Sequence, residues 1–248
     1  MSESGGRVFF RPFSMLYFTF LLLMLLVLMP LLTMLFRGLL VRGLGIPPES
    51  VGFVLLVSLL GSHFNIPFTS VESLGPITTY REVRFFGVTW RIPRVAVGVR
   101  RTLVTINVGG AVVPILISAY LLGYSIPACS PDPLLTYLKT LILMLVVALA
   151  VHRSARVVKG LGIATPAFGP PAITALTTVL IHLVSSVSCP TQIAYVGGTL
   201  GTLIGADLMN LNRLPELGVP VVSIGGAGTF DGIYITGLVS VVFVLLLL

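Results

Sequence analysis

Long uncharged apolar runs constrain this chain more than any other feature. Residues 13–36 hold no charged side chain, and residues 136–151 hold only Lys139. A helix of about 20 apolar residues crosses the roughly 30 Å of bilayer hydrocarbon. Inside that hydrocarbon a backbone must satisfy its own hydrogen bonds, which favours helices. The same reading along the chain gives about seven spans, at 13–36, 51–62, 102–122, 134–151, 170–187, 193–211 and 229–248. The second is short enough to be a buried half-span. The expected fold class is therefore an all-α polytopic membrane protein, with residues 1–248 forming one integral membrane domain. Composition points the same way, because 56% of the 248 residues are hydrophobic and 9% are charged, against about a quarter charged in a soluble domain. An ordinary cytosolic enzyme, a disordered tail and a disulfide-rich secreted mini-domain are excluded.

Residues 62–101 form the one sizeable polar excursion. Alternating β-branched, aromatic and charged residues on both sides of Gly87 predict a small β-hairpin insertion there. The net charge is +7, and thirteen of the fifteen basic residues are Arg. No nucleic-acid recognition motif accompanies them, so nucleic acid is not an expected partner. The basic residues read instead as topology signals and lipid-headgroup contacts. With the amino terminus inside, twelve fall on the inner side: Arg7, Arg11, six between Arg81 and Arg101, Arg153, Arg156, Lys159 and Arg213. Arg37, Arg42 and Lys139 fall outside. This bias predicts a cell-membrane protein with a cytoplasmic amino terminus, an external carboxyl terminus and the hairpin on the inner side. The first span is too long, and its Phe36-Arg37-Gly38 exit too bulky, for a cleaved signal peptide, so it reads as a retained anchor. Cys129 and Cys189 both fall in outer loops, where a disulfide persists. The alternative is two unpaired buried thiols.

Asp207 and Asp231 are the two acids that lie inside apolar segments. An ionised carboxylate there is opposed by roughly 2.5–3.5 kcal/mol on insertion scales, so the pair implies a partner, a proton or a water-filled cavity. Each sits within about 4–7 Å of the inner end of its helix at 1.5 Å per residue. Consecutive antiparallel helices are spatial neighbours, so the two carboxylates are expected at one site, where they would not both ionise cheaply. Such a pair activates water and protonates a leaving group. Asn210 and Tyr234 are candidates to orient it, and Asn107 is a candidate substrate contact in the third span. Gly205 belongs to a ridge with Gly197 and Gly201, while Gly226 and Gly228 belong to the run Ile224-Gly225-Gly226-Ala227-Gly228, read as a loop or re-entrant turn. Helix packing is the competing explanation for the glycines and for the stripe Thr174, Thr178, His182 and Ser185. His182 lies toward the outer face, away from the acids. No metal site and no cofactor are expected.

The segments Gly205-Ala206-Asp207-Leu208-Met209-Asn210 and Gly226-Ala227-Gly228-Thr229-Phe230-Asp231-Gly232-Ile233 resemble a prokaryotic multi-pass membrane family, domain of unknown function 1614. Asn107-Val108-Gly109-Gly110-Ala111 and Gly61-Ser62-His63-Phe64-Asn65-Ile66-Pro67 are similar to it too, so the resemblance spans most of the chain. It implies that these glycines and aspartates belong together and leaves the reaction open. A looser analogy links the chain to intramembrane aspartyl proteases, which place one Asp on each of two helices near a face. Their Gly-x-Gly-Asp motif is absent here, because Asp207 follows Ile204-Gly205-Ala206 and Asp231 follows Gly228-Thr229-Phe230. Three readings stay open. One is an intramembrane aspartyl hydrolase acting on a transmembrane or membrane-adjacent peptide. The others are a proton- or cation-coupled carrier and a non-catalytic membrane scaffold. The lipid bilayer is the expected partner in each, and the sequence sets no oligomeric state.

Overall fold

A computed structural model describes residues 9–10, 15–158, 162–217, 219–228 and 231–248. Arg7, Arg11 and Lys159 of the charge count, and Thr229 and Phe230 of the glycine-rich segment, lie outside these residues. In chain order the elements begin with β1 (Phe9–Phe10), α1 (Met15–Gly38), α2 (Ser50–Gly61), β2 (Phe64–Phe85) and β3 (Val88–Asn107). A continuous helix Val108–Cys129 follows. It contains α3 (Val113–Tyr120) and α4 (Ile126–Cys129), interrupted by wider π turns at Val108–Val112 and Leu121–Ser125. After it come α5 (Pro133–Ser154), β4 (Arg156–Val158), β5 (Gly162–Ala164), α6 (Gly169–Val184) and α7 (Pro190–Thr202). A π turn Leu203–Asp207 and a 3-10 segment Leu208–Leu217 lead to β6 (Val221–Ile224) and α8 (Gly232–Leu247).

Helix α7 is the centre of the helical layer, and almost every residue on it is buried. Its glycines set the packing distances. Gly197 and Gly201, and Gly205 in the π turn that follows, rest in turn on Leu143, Val147 and Ala148 of α5, so α5 and α7 run in the same direction. On another face Gly237 of α8 abuts Thr199 and Tyr195, and Ser240 Oγ donates to the Ala194 carbonyl at 3.3 Å, so α8 runs the opposite way. Helix α5 starts where Asp132 Oδ1 accepts from the Leu135 amide at 3.1 Å and Pro133 opens the first turn. Near that end Lys139 is buried, and its ammonium donates to the carbonyls of Ser185 and Ser186 at 3.1 and 2.8 Å. Both carbonyls lie just past the end of α6, where Ser185 is extended, so backbone beside a helix C-terminus satisfies the buried cation. A disulfide joins Cys129 to Cys189 at the same end, with Cα atoms 6.1 Å apart. In the chain-entropy account, a cross-link over 60 residues stabilises by about 4 kcal/mol.

The expected all-α fold with about seven spanning helices is overturned. Among the described residues there are six strands in two sheets. Among the described residues, Val108–Cys129 and Pro133–Ser154 are long and apolar enough to cross a membrane. The apolar helices Ser50–Gly61, Gly169–Val184 and Gly232–Leu247 hold 12, 16 and 16 residues. At 1.5 Å per residue they reach roughly 18–24 Å, short of the hydrocarbon thickness. The hairpin is not small either. Its strands of 22 and 20 residues pair from Phe85↔Val88 down to Asn65↔Asn107, with a bulge between Pro67 and Thr69. Phe86 and Gly87 both take positive φ, 48° and 77°, giving a two-residue turn of the kind that matches strand twist.

Strand β3 also claims residues 102–107, which the sequence reading assigned to the start of a helix. These residues sit in the middle of a sheet ordered β1-β2-β3-β6, with β6 parallel to β3. Thr102 and Thr105 donate their hydroxyls to the Val219 and Val222 carbonyls at 3.0 and 3.2 Å, tying strand to strand. β-Branched residues buried on both faces give no alternation, so their pattern matches that of an apolar helix end.

The backbone contact at Gly205 yields a test. A methyl group added there overlaps the Ala148 carbonyl, whereas one added at Gly123 meets no atom within 4 Å. Gly205→Ala should cost about 2–3 kcal/mol through overpacking, and Gly123→Ala should be neutral or mildly stabilising. Thermal unfolding of both variants in detergent, beside the parent chain, measures the contrast.

Candidate functional site

Where the helical layer meets the sheet, a cavity of about 720 Å³ opens between the π turn after α7, strand β6 and the start of α8. No residue of Val108–Cys129 or Pro133–Ser154 lines it. Asp207 and Asp231 both line it. The π turn places Asp207 as its last residue. Such a turn widens the helix locally and re-aims the side chains that follow, and π turns recur at functional positions.

Asp231 is held by backbone. Its Oδ1 accepts from the Ile233 amide at 3.1 Å, capping α8, and its Oδ2 accepts from the Ala227 amide at 3.3 Å in the glycine turn. Both interactions favour the charged carboxylate, as does the positive end of a helix. The turn rests on backbone in its own right. A Cβ on Gly110 would collide with the Gly225 and Gly228 carbonyls, and Gly225 and Gly228 adopt φ of +70° and +66°. Side chains other than glycine are strained in that region.

Asp207 has no hydrogen-bond or ion-pair partner among the described residues. Burial first, and the Asp231 carboxylate second, push its pKa up from 3.8 to about 8. Burial also raises Asp231, opposed by the amides of Ile233 and Ala227. The two acids therefore sit in unequal surroundings: burial raises both, and two backbone amides oppose it at Asp231 but not at Asp207, so Asp207 holds its proton the more firmly of the two.

The other sequence candidates are distributed differently. Gly226 lines the cavity. Gly228 supports it from behind, packed on Ser62, and Gly205 serves helix packing against α5. Asn107 does not face the cavity. Its Nδ2 donates to the Ser62 carbonyl and to Asn65 Oδ1 at 2.8 and 3.1 Å, and its Oδ1 accepts from the Gly110 amide at 2.9 Å. Asn210 is turned into its own helix, donating to the Gly205 and Ala206 carbonyls. Tyr234 lies buried in the helical layer, where its hydroxyl accepts from Ser58 Oγ at 3.2 Å, so its partner is Ser58 rather than Asp231. His182 accepts from the Val187 amide at 3.1 Å at the far end of α6. Among the described residues no group of three or more His, Cys, Asp or Glu is placed to hold a metal ion.

Sequence reasoning missed Asn65, Thr105, Thr202 and Ser223, all of which line the cavity. Ser223 Oγ donates to Asn65 Oδ1 at 2.5 Å, joining β6 to β2 across the cavity floor. It also missed β6, whose outer edge pairs with no strand among the described residues while Val221, Val222 and Ser223 line the cavity wall.

The raised Asp207 pKa fixes the sign of a pH dependence. A carboxyl that holds its proton more tightly folded than unfolded makes folding take up a proton between the two pKa values. Stability should therefore fall as pH rises from about 4 to about 8. Asp207→Asn, an uncharged isostere, should flatten that slope and raise the melting temperature at pH 8. Melting curves across this pH window read both effects, and an unchanged slope in the variant would assign the dependence to another group.

Comparison with known proteins adds the family. A family model described as "Protein of unknown function (DUF1614)" matches residues 59–243, which takes in the hairpin, α7, the glycine turn and both aspartates. No curated protein and no solved structure matches the chain. With three quarters of its length covered by that one model, the chain belongs to the DUF1614 family.

Proposed function

We propose that the chain is a membrane-embedded aspartyl hydrolase that cuts an extended peptide segment at the cavity between Asp207 and Asp231. One observation carries this reading: two carboxylates in unequal surroundings face a cavity whose wall includes a strand edge that pairs with no strand among the described residues. A peptide in extended form adds to such an edge through main-chain hydrogen bonds, which hold it without regard to sequence. Its scissile amide then lies beside the acids. In the proposed step Asp231 takes a proton from water as the water oxygen attacks the carbonyl carbon. Asp207 gives its proton to the departing amide nitrogen. Return of the proton from Asp231 to Asp207 resets the pair.

The membrane setting follows from the two long apolar helices. We infer that Val108–Cys129 and Pro133–Ser154 cross the cell membrane as an antiparallel pair, with Cys129 and Cys189 outside, where a disulfide persists. The six arginines of the hairpin, with Arg153 and Arg156, then lie inside, in keeping with positive-inside bias. The amino terminus is cytoplasmic and the carboxyl terminus external in this arrangement.

A specific observation favours a second reading. Thr202, Thr199 and Tyr195 follow one another at turn spacing along α7, starting at the cavity, and among the described residues none of their buried hydroxyls has a hydrogen-bond partner outside this file. Buried hydroxyls of this kind are met by water or a bound ion. In a proton- or cation-coupled carrier, Asp207 would bind the ion and this file would conduct it.

Purified protein incubated with a panel of membrane-spanning peptides separates the two readings. Cleavage should appear in the parent and fall at least about 100-fold in Asp207→Asn and in Asp231→Asn. Asparagine caps a helix nearly as well as aspartate, so the second variant should keep its fold. Absence of cleavage in the parent, together with proton-driven uptake in proteoliposomes that Asp207→Asn abolishes, would replace the hydrolase with the carrier.

A further inference from the structure

We propose that the β2–β3 hairpin docks by one face onto an anionic bilayer surface, with Trp90 at the headgroup boundary. Residues directly opposite in an antiparallel pair share a face, and faces alternate along each strand. The register Phe85↔Val88, Val83↔Trp90, Arg81↔Ile92 and Thr79↔Arg94 therefore gathers Phe85, Val88, Val83, Trp90 and Ile92 on one side, with Arg81 and Arg94 among them. The opposite side carries Arg84, Thr89 and the Glu82–Arg91 ion pair. Phe85, Val88, Trp90 and Ile92 are 51–65% exposed, and Phe86 at the tip is 92% exposed, so the chain does not cover this apolar face.

Charge, residue type and continuity identify the occupant. Arg91 and Arg101 are paired with Glu82 and Glu72, while Arg81, Arg84 and Arg94 have no carboxylate partner among the described residues. The hairpin thus presents unpaired guanidinium groups, which suit phosphate oxygens bidentately. Tryptophan and phenylalanine beside arginine form the set that settles at a membrane–water boundary, rings at headgroup depth and charges toward the phosphates. β3 also passes at Asn107 directly into the helix Val108–Cys129, one of the two with the length and apolarity to cross. The root of the hairpin is therefore anchored to an element of the membrane domain. A water-facing hairpin of this length would have no use for an apolar face, and such a face left bare is an aggregation hazard.

Trp90 is the one tryptophan in the chain, so its fluorescence reports this face alone. The full-length protein is reconstituted in vesicles of phosphatidylcholine, with or without phosphatidylglycerol, containing lipids brominated near the acyl-chain carbonyls. The expected result in anionic vesicles is blue-shifted emission with a marked loss of intensity to the brominated lipid. Neutral vesicles, high salt, or the double substitution R81E/R94E should restore the intensity. The comparison across lipids uses the parent chain, so it holds even where the double variant fails to fold. Red emission quenched by aqueous iodide in every vesicle would overturn the proposal. So would quenching by brominated lipid that is indifferent to lipid charge. Blue emission that ignores brominated lipid but grows with the protein-to-lipid ratio would overturn it too, and would assign the face to a second copy of this chain.

Discussion

Backbone touches backbone where the helical layer meets the sheet, and the placement of Asp231 depends on that contact. Gly110, at the start of the helix after β3, lies against the carbonyls of Gly225 and Gly228, and its neighbour Gly109 lies against Ser58 and Ser62 at the end of α2. Any side chain at these positions would force three segments apart. The Asn107 side chain, bonded to Ser62, Asn65 and the Gly110 amide, locks the same junction from the other side. The turn that carries the Ala227 amide is thereby fixed, and with it the orientation of the Asp231 carboxylate. The two amides that oppose the effect of burial on Asp231 are thus set by packing distances.

The two ends of the helical layer are held by different physics. At one end a covalent cross-link, the buried Lys139 ammonium and the Thr191 hydroxyl on the Gly43 carbonyl fasten four segments with strong directional contacts. At the other end close glycine packing leaves a cavity of about 720 Å³ bordered by a strand edge. Directional contacts restrict motion and leave little free volume. Glycine packing fixes separations while leaving room beside them. The acids occupy the roomier end.

Much of this site was legible in the sequence, because an acid inside an apolar run is costly and two such acids near matching helix ends are drawn together. The structure brings Asp207 and Asp231 to one cavity, and the cysteines to one disulfide. The partners of each polar group were not legible. Asp231 spends both oxygens on backbone amides, and Tyr234 finds Ser58 across 176 residues of sequence. No local pattern announces such contacts. The sheet was hidden for a related reason. Residues 102–107 carry β-branched side chains on both faces, with Thr102, Val104 and Ile106 on one and Thr105 on the other, so they read as readily as a helix end, and Val221–Ile224 is too short to stand out without the strand it pairs with.

That parallel pairing has a bearing on how the molecule is made. Strand β3 emerges from the ribosome well before β6, since Thr105 and its partner Val222 are 117 residues apart. At synthesis rates of roughly 5–20 residues per second, the interval is about 6–23 s. During that time the inner edge of β3 has no mate, and the segment that will carry Asp231 does not yet exist. The chamber closes only after the chain has been translated past Asp231 and Ile233. On the proposed hydrolase reading, the acid pair is complete only once Asp231 has been made and β6 has docked on β3, so no chain ending short of Asp231 holds both acids at one site.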